Sequence, residues 1–219
     1  NYVHIGNMRP VITFDMIRNY LEYLGYKVTY ASNFTDINPK IIAAAKTLEI
    51  TEREVANKFI QAYLDDLAAY ECGRIDYHPT VLENLNNIYD FITKLLEKGY
   101  AYEVDGDVYF RVSKIKDYGC LSNNSLEELE SGARVEVDEK KEDPLDFALW
   151  RKSLDGEHFD SPWGPGIPGW HTECVVMINS LFGSKIDIHG GGVDLKFPHH
   201  ENEIAQSESY LGHKWCNYW

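Results

Sequence analysis

Several features that define whole classes of protein are missing from this sequence. The chain has 219 residues, yet no hydrophobic run reaches the roughly 20 residues that a membrane-spanning helix needs, and no secretory signal pattern opens it. Its four cysteines are widely spaced and form no disulfide framework. These absences favour a reducing environment, so we expect a cytoplasmic location with no membrane contact.

Basic charge is also scarce. The 21 Lys and Arg residues face 35 Asp and Glu residues, which gives a formal net charge of -14. A broadly basic nucleic-acid surface is therefore excluded, and any contact with RNA must use local patches or parts outside this chain. The chain does not begin with Met, and its first residues resemble a strand end, so we expect a fragment of a longer protein.

Hydrophobic periodicity predicts an α/β fold. Residues 1–7 are interpreted as a strand end and loop, residues 10–24 as a helix and residues 27–34 as a strand, which together form a parallel strand–helix–strand unit. Thr35 then follows the carboxyl end of the second strand, where open α/β sheets bind ligands.

The remainder of the chain continues this pattern with one interruption. Further predicted elements are helices at 37–49, 51–69 and 79–98, of which the second begins with a capping box of Thr51 and Glu54. They are followed by a hairpin at 100–112 that turns at Asp105-Gly106, a peripheral acidic segment at 121–141 and an irregular loop at 161–169. The last predicted elements are a helix at 174–181 and a strand at 185–189. The layout is a parallel α/β core that is interrupted between 99 and 168 by a partly β insertion. The predicted domains are 1–98, 99–168 and 169–219.

The segment from Asp187 to Glu203 carries the strongest chemical signal. On a helix, His199 and Glu203 are four residues apart and share one face, which is a spacing of metal ligands. Cys174 adds a thiolate, and the three groups together suit zinc. The alternatives are a solvated helix face for His199 and Glu203 and a buried, inert thiol for Cys174.

Several motifs, taken together, resemble one family. They are His4-Ile5-Gly6-Asn7, Arg9, Asn33 with Thr35 and Asp36, Pro168-Gly169-Trp170-His171 with Glu173-Cys174, and Asp187 through Glu203. In this order they resemble the catalytic domain of the class I aminoacyl-tRNA synthetases, specifically the cysteinyl-tRNA synthetase family. The resemblance covers nearly the whole chain, and it implies a Rossmann-like parallel sheet interrupted by a connective-peptide insertion.

The resemblance also implies a metal and a reaction. One zinc ion per chain would be bound by Cys174, His199 and Glu203, and the family's fourth ligand and its "KMSKS" segment would lie outside this chain. The implied reaction is the ATP-dependent activation of L-cysteine to cysteinyl-adenylate, followed by transfer to the acceptor end of tRNA(Cys). Zinc would recognise the substrate thiolate, and the enzyme would act as a monomer.

The same resemblance assigns roles to individual residues. His4 and Asn7 would be catalytic. ATP, with Mg2+, would contact His4, Gly6, Asn7, Gly190, Gly191 and Asp194, whereas cysteine would contact Thr35, Trp170 and His189. For His4 the alternative is a structural hydrogen bond to backbone, and for Trp170 it is core packing.

Three other functions stay open from the sequence. The first is a cysteine ligase that uses a non-tRNA acceptor such as an amino sugar. The second is a non-catalytic, zinc-binding synthetase paralogue. The third is a zinc hydrolase in which Glu201 or Glu203 acts as the base.

Overall fold

The computed structural model describes residues 2–123 and 139–219. The chain forms two compact units, residues 1–83 and 84–219, and each is described by itself. The predicted domain boundaries near 98 and 168 stay a prediction. Most of the acidic segment predicted to be peripheral, at 124–138, lies outside the described residues.

Three helices form the first unit: α1 (Ile5–Tyr23), α2 (Pro39–Leu48) and α3 (Glu52–Ala69). The predicted capping box of α3 is confirmed, because Thr51 and Glu54 bond reciprocally across its first turn. A small core of Met8, Leu67 and Cys72 joins α1 to α3.

The strand predicted at residues 27–34 is wrong, because only isolated parallel bridges form there. The amides of Ser32 and Phe34 donate to the carbonyls of Tyr77 and Pro79. In a parallel ladder the carbonyl of Ser32 would next accept from residue 79, but proline has no N–H. The Nδ1 of His78 donates to that carbonyl instead, at 2.8 Å.

Two predicted helix starts are also corrected. The sequence places residues 1–7 in a strand end and loop, but α1 already begins at Ile5, because His4 caps it. The helix predicted from residue 79 begins as a single turn at Leu82–Asn84 and continues as α4 (Leu85–Glu97). Residues 79–81 stay extended because the Val81 amide donates to the Asp36 carboxylate at 2.9 Å.

The second unit contains an antiparallel sheet of four strands in sequential order. Its strands are β1 (Ala101–Val104), β2 (Asp107–Phe110), β3 (Phe147–Lys152) and β4 (Gly166–Pro168). The predicted hairpin turn is confirmed, since Asp105 and Gly106 both take positive φ, at 53° and 89°. The loop predicted at 161–169 is irregular only in its first part, because β4 pairs with β3.

The last part of the second unit positions the candidate site. Helix α5 (Trp170–Phe182) leads into β5 (Ile186–Ile188), and α6 (Glu201–Leu211) leads into β6 (Cys216–Tyr218). Strands β5 and β6 pair in parallel, so α6 lies on the crossover between them. Within the described residues, no helix is both long and apolar enough to span a membrane.

Candidate functional site

The three predicted metal ligands lie together in the second unit. Cys174 is on α5, His199 is in the turn that precedes α6, and Glu203 is on α6 itself. All three side chains are buried, and one ligand atom from each lies within 4.8 Å of the other two. The structure therefore brings a thiol, an imidazole and a carboxylate to one point.

The two carboxylate oxygens of Glu203 have different surroundings. Oε2 accepts a hydrogen bond from Nε2 of His189 at 3.0 Å. Oε1 is buried and has no hydrogen-bond partner among the described residues. It faces Nε2 of His199 at 3.7 Å, which is too long for a hydrogen bond. A buried carboxylate oxygen without a hydrogen bond destabilises the folded protein unless a cation binds to it.

Burial keeps the surrounding imidazoles neutral. It lowers the pKa of His171 to about 3 and that of His200 to about 4, and it also lowers the pKa of His199. A neutral imidazole has a free lone pair on one ring nitrogen, which is the form that binds a metal. At neutral pH all three histidines are therefore neutral, which for His199 and His200 is the form that can bind a metal.

Glu203 keeps its negative charge despite full burial. Burial alone would raise the pKa of this carboxyl, but the interaction with His189, including its hydrogen bond, lowers it, and His199 and His200 act in the same direction. A charged carboxylate, neutral imidazoles and a cysteine form a donor set that suits zinc. The residues present thus fit the metal that the sequence predicts.

Trp170 and His171 line His199 on its other sides. The Trp170 ring stacks on the His199 ring, with centroids 4.1 Å apart and planes at 17°. Trp170 remains 45% exposed, so the core-packing alternative is wrong. The Nδ1 atoms of His171 and His199 lie 2.7 Å apart, which fixes the orientation of the ligand ring.

Hydrogen bonds hold the first turn of α6 in place. Ser122 donates to the carboxylate of Glu201 from its backbone amide at 2.6 Å and from its hydroxyl at 2.9 Å. Tyr118 donates to the side-chain oxygen of Asn202. Glu201 and Asn202 are each only 2% exposed, and His199 and Glu203 are buried as well, so the solvated-face alternative for His199 and Glu203 is wrong.

The glycine-rich segment after β5 lies next to this cluster. A Cβ at Gly191 would lie 3.0 Å from Nε2 of His200, and one at Gly192 would clash with the carboxylate of Asp194. Glycine at position 191 therefore has a local packing reason, whereas the exposed Asp194 side chain can move away from a Cβ at position 192. Asp194 and Gly190 are exposed.

The other predicted site residues lie in the first unit. His4 caps α1, with its Nδ1 accepting from the Gly6 amide at 3.1 Å, and Asn7 accepts from the His4 amide at 3.3 Å. The backbone-bonded alternative for His4 is thus present in the structure. This bond leaves the proton of a neutral ring on Nε2. A Cβ at Gly6 would lie 2.8 Å from the His4 ring, so glycine is needed there.

Thr35 lines a cleft of about 430 Å³ between α2 and α3, beside Asn33 and Lys40. The far wall of this cleft is apolar and includes Phe59 and Ile60. The carboxylate of Asp36 accepts a hydrogen bond from the Arg53 guanidinium at 3.1 Å and thereby stabilises the first unit.

Sequence reasoning assigned no role to His171, Tyr118, Ser122 or Gln206. His171 had a detectable signal, because it lies three residues before Cys174 on one helix face. Gln206, which accepts from Thr172 at 3.1 Å and joins α5 to α6, follows Glu203 by three residues. Tyr118 and Ser122 are about 80 residues from their partners, and no local pattern points to such pairs.

Comparisons with known proteins show the family to which the chain belongs. The family described as "tRNA synthetases class I (C) catalytic domain" matches residues 1–219. Proteins named cysteine--tRNA ligase are 57% identical in Anoxybacillus flavithermus, 56% in Geobacillus thermodenitrificans and 55% in Bacillus velezensis, each over all of this chain and 47% of the relative. The chain belongs to the family of class I (C) tRNA synthetase catalytic domains, and it spans about half the length of these curated relatives.

A solved structure supports the fold alone. A putative arginyl tRNA synthetase from Campylobacter jejuni aligns with a TM-score of 0.54 at 14% identity, and it covers 100% of this chain and 51% of that chain. The predicted α/β fold of a class I synthetase catalytic domain is thereby confirmed.

Proposed function

We propose that this chain is the zinc-containing catalytic region of an enzyme that activates L-cysteine with ATP and transfers it to tRNA(Cys). The observation that carries this proposal is the convergence of Cys174, His199 and Glu203, in which one buried oxygen of Glu203 has no hydrogen-bond partner among the described residues. The names and identities of the curated relatives support the same function.

Zinc would be held by the sulfur of Cys174, a nitrogen of His199 and an oxygen of Glu203. When bound, it would supply an open position for the substrate sulfur, and soft sulfur is preferred over the oxygen of serine. Cysteine and serine differ by one atom, and a hydrophobic pocket separates such near-isosteres by only about 1–3 kcal/mol. The metal site would therefore serve recognition rather than hydrolysis.

Residues around the site would complete the cysteine pocket. Trp170 is exposed on one side while stacked on His199, so its free face would close over a small substrate. His189 is held through its Nε2 bond to Glu203 and would orient the bound amino acid. From the family resemblance, Thr35, which lines the cleft of the first unit, would also contact cysteine.

ATP would be bound by the capping segment of α1 and by the glycine-rich segment. The Nε2–H of His4 would donate to a phosphate as charge develops in the transition state, while Asn7 and Gly6 would extend the contact. Gly190, Gly191 and Asp194 would contact the nucleotide on the second unit. Mg2+ would accompany ATP as its counter-ion.

The test uses cobalt in place of zinc in the full-length protein. We expect the thiolate-to-cobalt absorption band to grow when cysteine is added and not when serine is added. We also expect ATP–pyrophosphate exchange that depends on cysteine. Bound cobalt with no response to cysteine, and no exchange, would overturn the proposal and favour a non-catalytic paralogue.

A second assay distinguishes tRNA from other acceptors of the activated cysteine. Charging of tRNA(Cys) is expected, whereas cysteine activation without charging would favour a ligase with a different acceptor. Hydrolysis of an amide or ester at the metal site would favour the hydrolase alternative.

A further inference from the structure

Glu203 faces a second set of nitrogen ligands besides the one that contains Cys174. His189, His200 and Glu203 each place a ligand atom within 4.8 Å of the other two. This set contains no sulfur. Its histidines approach Oε2 of Glu203, whereas His199 approaches Oε1, so one carboxylate stands between two ligand sets.

The distances in this second set match a transition-metal site. Nε2 of His189 lies 3.0 Å from Oε2 of Glu203, and Nε2 of His200 lies 3.9 Å from the same oxygen. Metal–ligand bonds of about 2.0–2.1 Å in tetrahedral geometry place neighbouring ligand atoms roughly 3.3 Å apart. The observed distances lie on either side of that value, so small side-chain movements would complete the site.

The site is also open to an incoming ion. The side chain of His189 is 15% exposed, while those of His200 and Glu203 are nearly or fully buried. Because residue 191 is glycine, there is no Cβ at the position that would lie 3.0 Å from Nε2 of His200. The glycine therefore leaves space on that side of the His200 ring.

We propose that His189, His200 and Glu203 bind a second divalent transition-metal ion, with Glu203 bridging it to the ion held by Cys174 and His199. The proposal rests on the proposed zinc centre only through this shared carboxylate. A bridging carboxylate typically holds two ions about 3.5–4 Å apart. Imidazole and carboxylate ligands without sulfur suit Zn2+, Co2+ and Ni2+.

Occupation of this second site would have a chemical consequence. The ion would take Nε2 of His189, the atom that now donates to Glu203. His189 would then be unable to orient cysteine as proposed above, so excess metal would compete with the substrate.

The experiment is a stepwise Co2+ titration of the full chain, with metal content measured by elemental analysis after equilibrium dialysis. In the native protein we expect two ions per chain. The first produces a thiolate-to-cobalt band, and the second adds only visible absorption of nitrogen and oxygen coordination. The variant His200→Gln is expected to keep the band and bind one ion. Cys174→Ser is expected to lose the band and still bind one ion.

The outcomes separate this proposal from the proposed zinc centre. One ion per native chain with a thiolate band would overturn the second site and leave the first. Bound cobalt without any thiolate band would instead overturn the centre at Cys174. Two ions in His200→Gln, or loss of both ions in His200→Gln and His189→Gln while circular dichroism is unchanged, would overturn the second site as well.

Discussion

The Nδ1 atoms of His171 and His199 lie 2.7 Å apart, so one of the two nitrogens must carry the proton that the other accepts. If His199 donates, its Nε2 keeps a lone pair that faces Glu203. Ligand histidines commonly donate their second N–H in this way, which fixes the tautomer and the ring orientation. His171 is therefore a positioning residue for the metal ligand.

Replacing His171 should weaken zinc binding without removing a ligand. We expect His171→Ala to lower zinc affinity about 10–100-fold, as loss of such supporting hydrogen bonds does at other metal sites. Competition with a chromophoric chelator measures the change. His158→Ala is the matched control, because that histidine is exposed and bonds only to the carbonyl of Gly156. Equal affinities for the two variants would contradict the role of His171.

The sequence predicted what depends on local spacing. The Thr51–Glu54 capping box, the Asp105-Gly106 turn and the shared face of His199 and Glu203 all follow from periods of a few residues. It could not predict which segments meet across the fold. Neither the Ser122–Glu201 contact nor the failure of residues 27–34 to form a continuous strand has a local signature, because both depend on distant partners.

The charge of Glu203 should be essential for every bound ion. The variant Glu203→Gln keeps the shape of the side chain and an acceptor for His189, but it removes the buried negative charge. We expect it to retain no metal at a chelator concentration that leaves the native protein loaded, as measured by elemental analysis. Glu97→Gln changes an exposed acid and should keep the native metal content. Native metal content in Glu203→Gln would refute this role.

Stability of the metal-free protein should depend on pH through the buried histidines. Below the ordinary value of 6.5, imidazoles protonate in the unfolded chain, whereas burial lowers the pKa of His171 to about 3 and that of His200 to about 4 in the folded chain. The unfolded state thus binds more protons in this window, so the free energy of unfolding should fall as pH drops from about 6.5 to about 4.

Urea denaturation in the presence of a chelator measures this pH dependence. His200→Gln removes one of the three histidines whose pKa is lowered by burial, so its stability should fall less steeply than that of the native protein over the same window. His158→Gln should leave the slope unchanged, because that side chain is exposed. If the free energy of unfolding of His200→Gln fell with pH as steeply as that of the native protein, His200 would not contribute to the pH dependence.

The capping box of α3 should contribute measurably to the first unit. Thr51→Ala removes the oxygen that accepts from the Glu54 amide at 3.2 Å, and we expect it to cost about 1 kcal/mol. Thr47→Ala is a suitable comparison, because Thr47 is an exposed helical residue whose hydroxyl only bonds back to Ala43. Urea denaturation followed by circular dichroism should show a lower midpoint for Thr51→Ala alone.

The contact between Tyr118 and Asn202 should stabilise the turn that carries Glu203. Burial raises the pKa of Tyr118, so its hydroxyl stays protonated and donates to the Asn202 side chain. The variant Tyr118→Phe would leave that buried oxygen without this donor, which typically costs about 1–3 kcal/mol. Urea denaturation should reveal the loss, while Tyr26→Phe, at an exposed position, should be neutral.

The contact between Ser122 and Glu201 tests whether the segment that contains Tyr118 and Ser122 acts as one unit. Ser122→Ala removes the hydroxyl bond to Glu201 but keeps the backbone bond, so we expect a smaller loss than in Tyr118→Phe. Because Tyr118 and Ser122 lie in one short segment that contacts one helical turn, their effects should not add. A double variant whose loss equals the sum of the two single losses would show that the two contacts act independently.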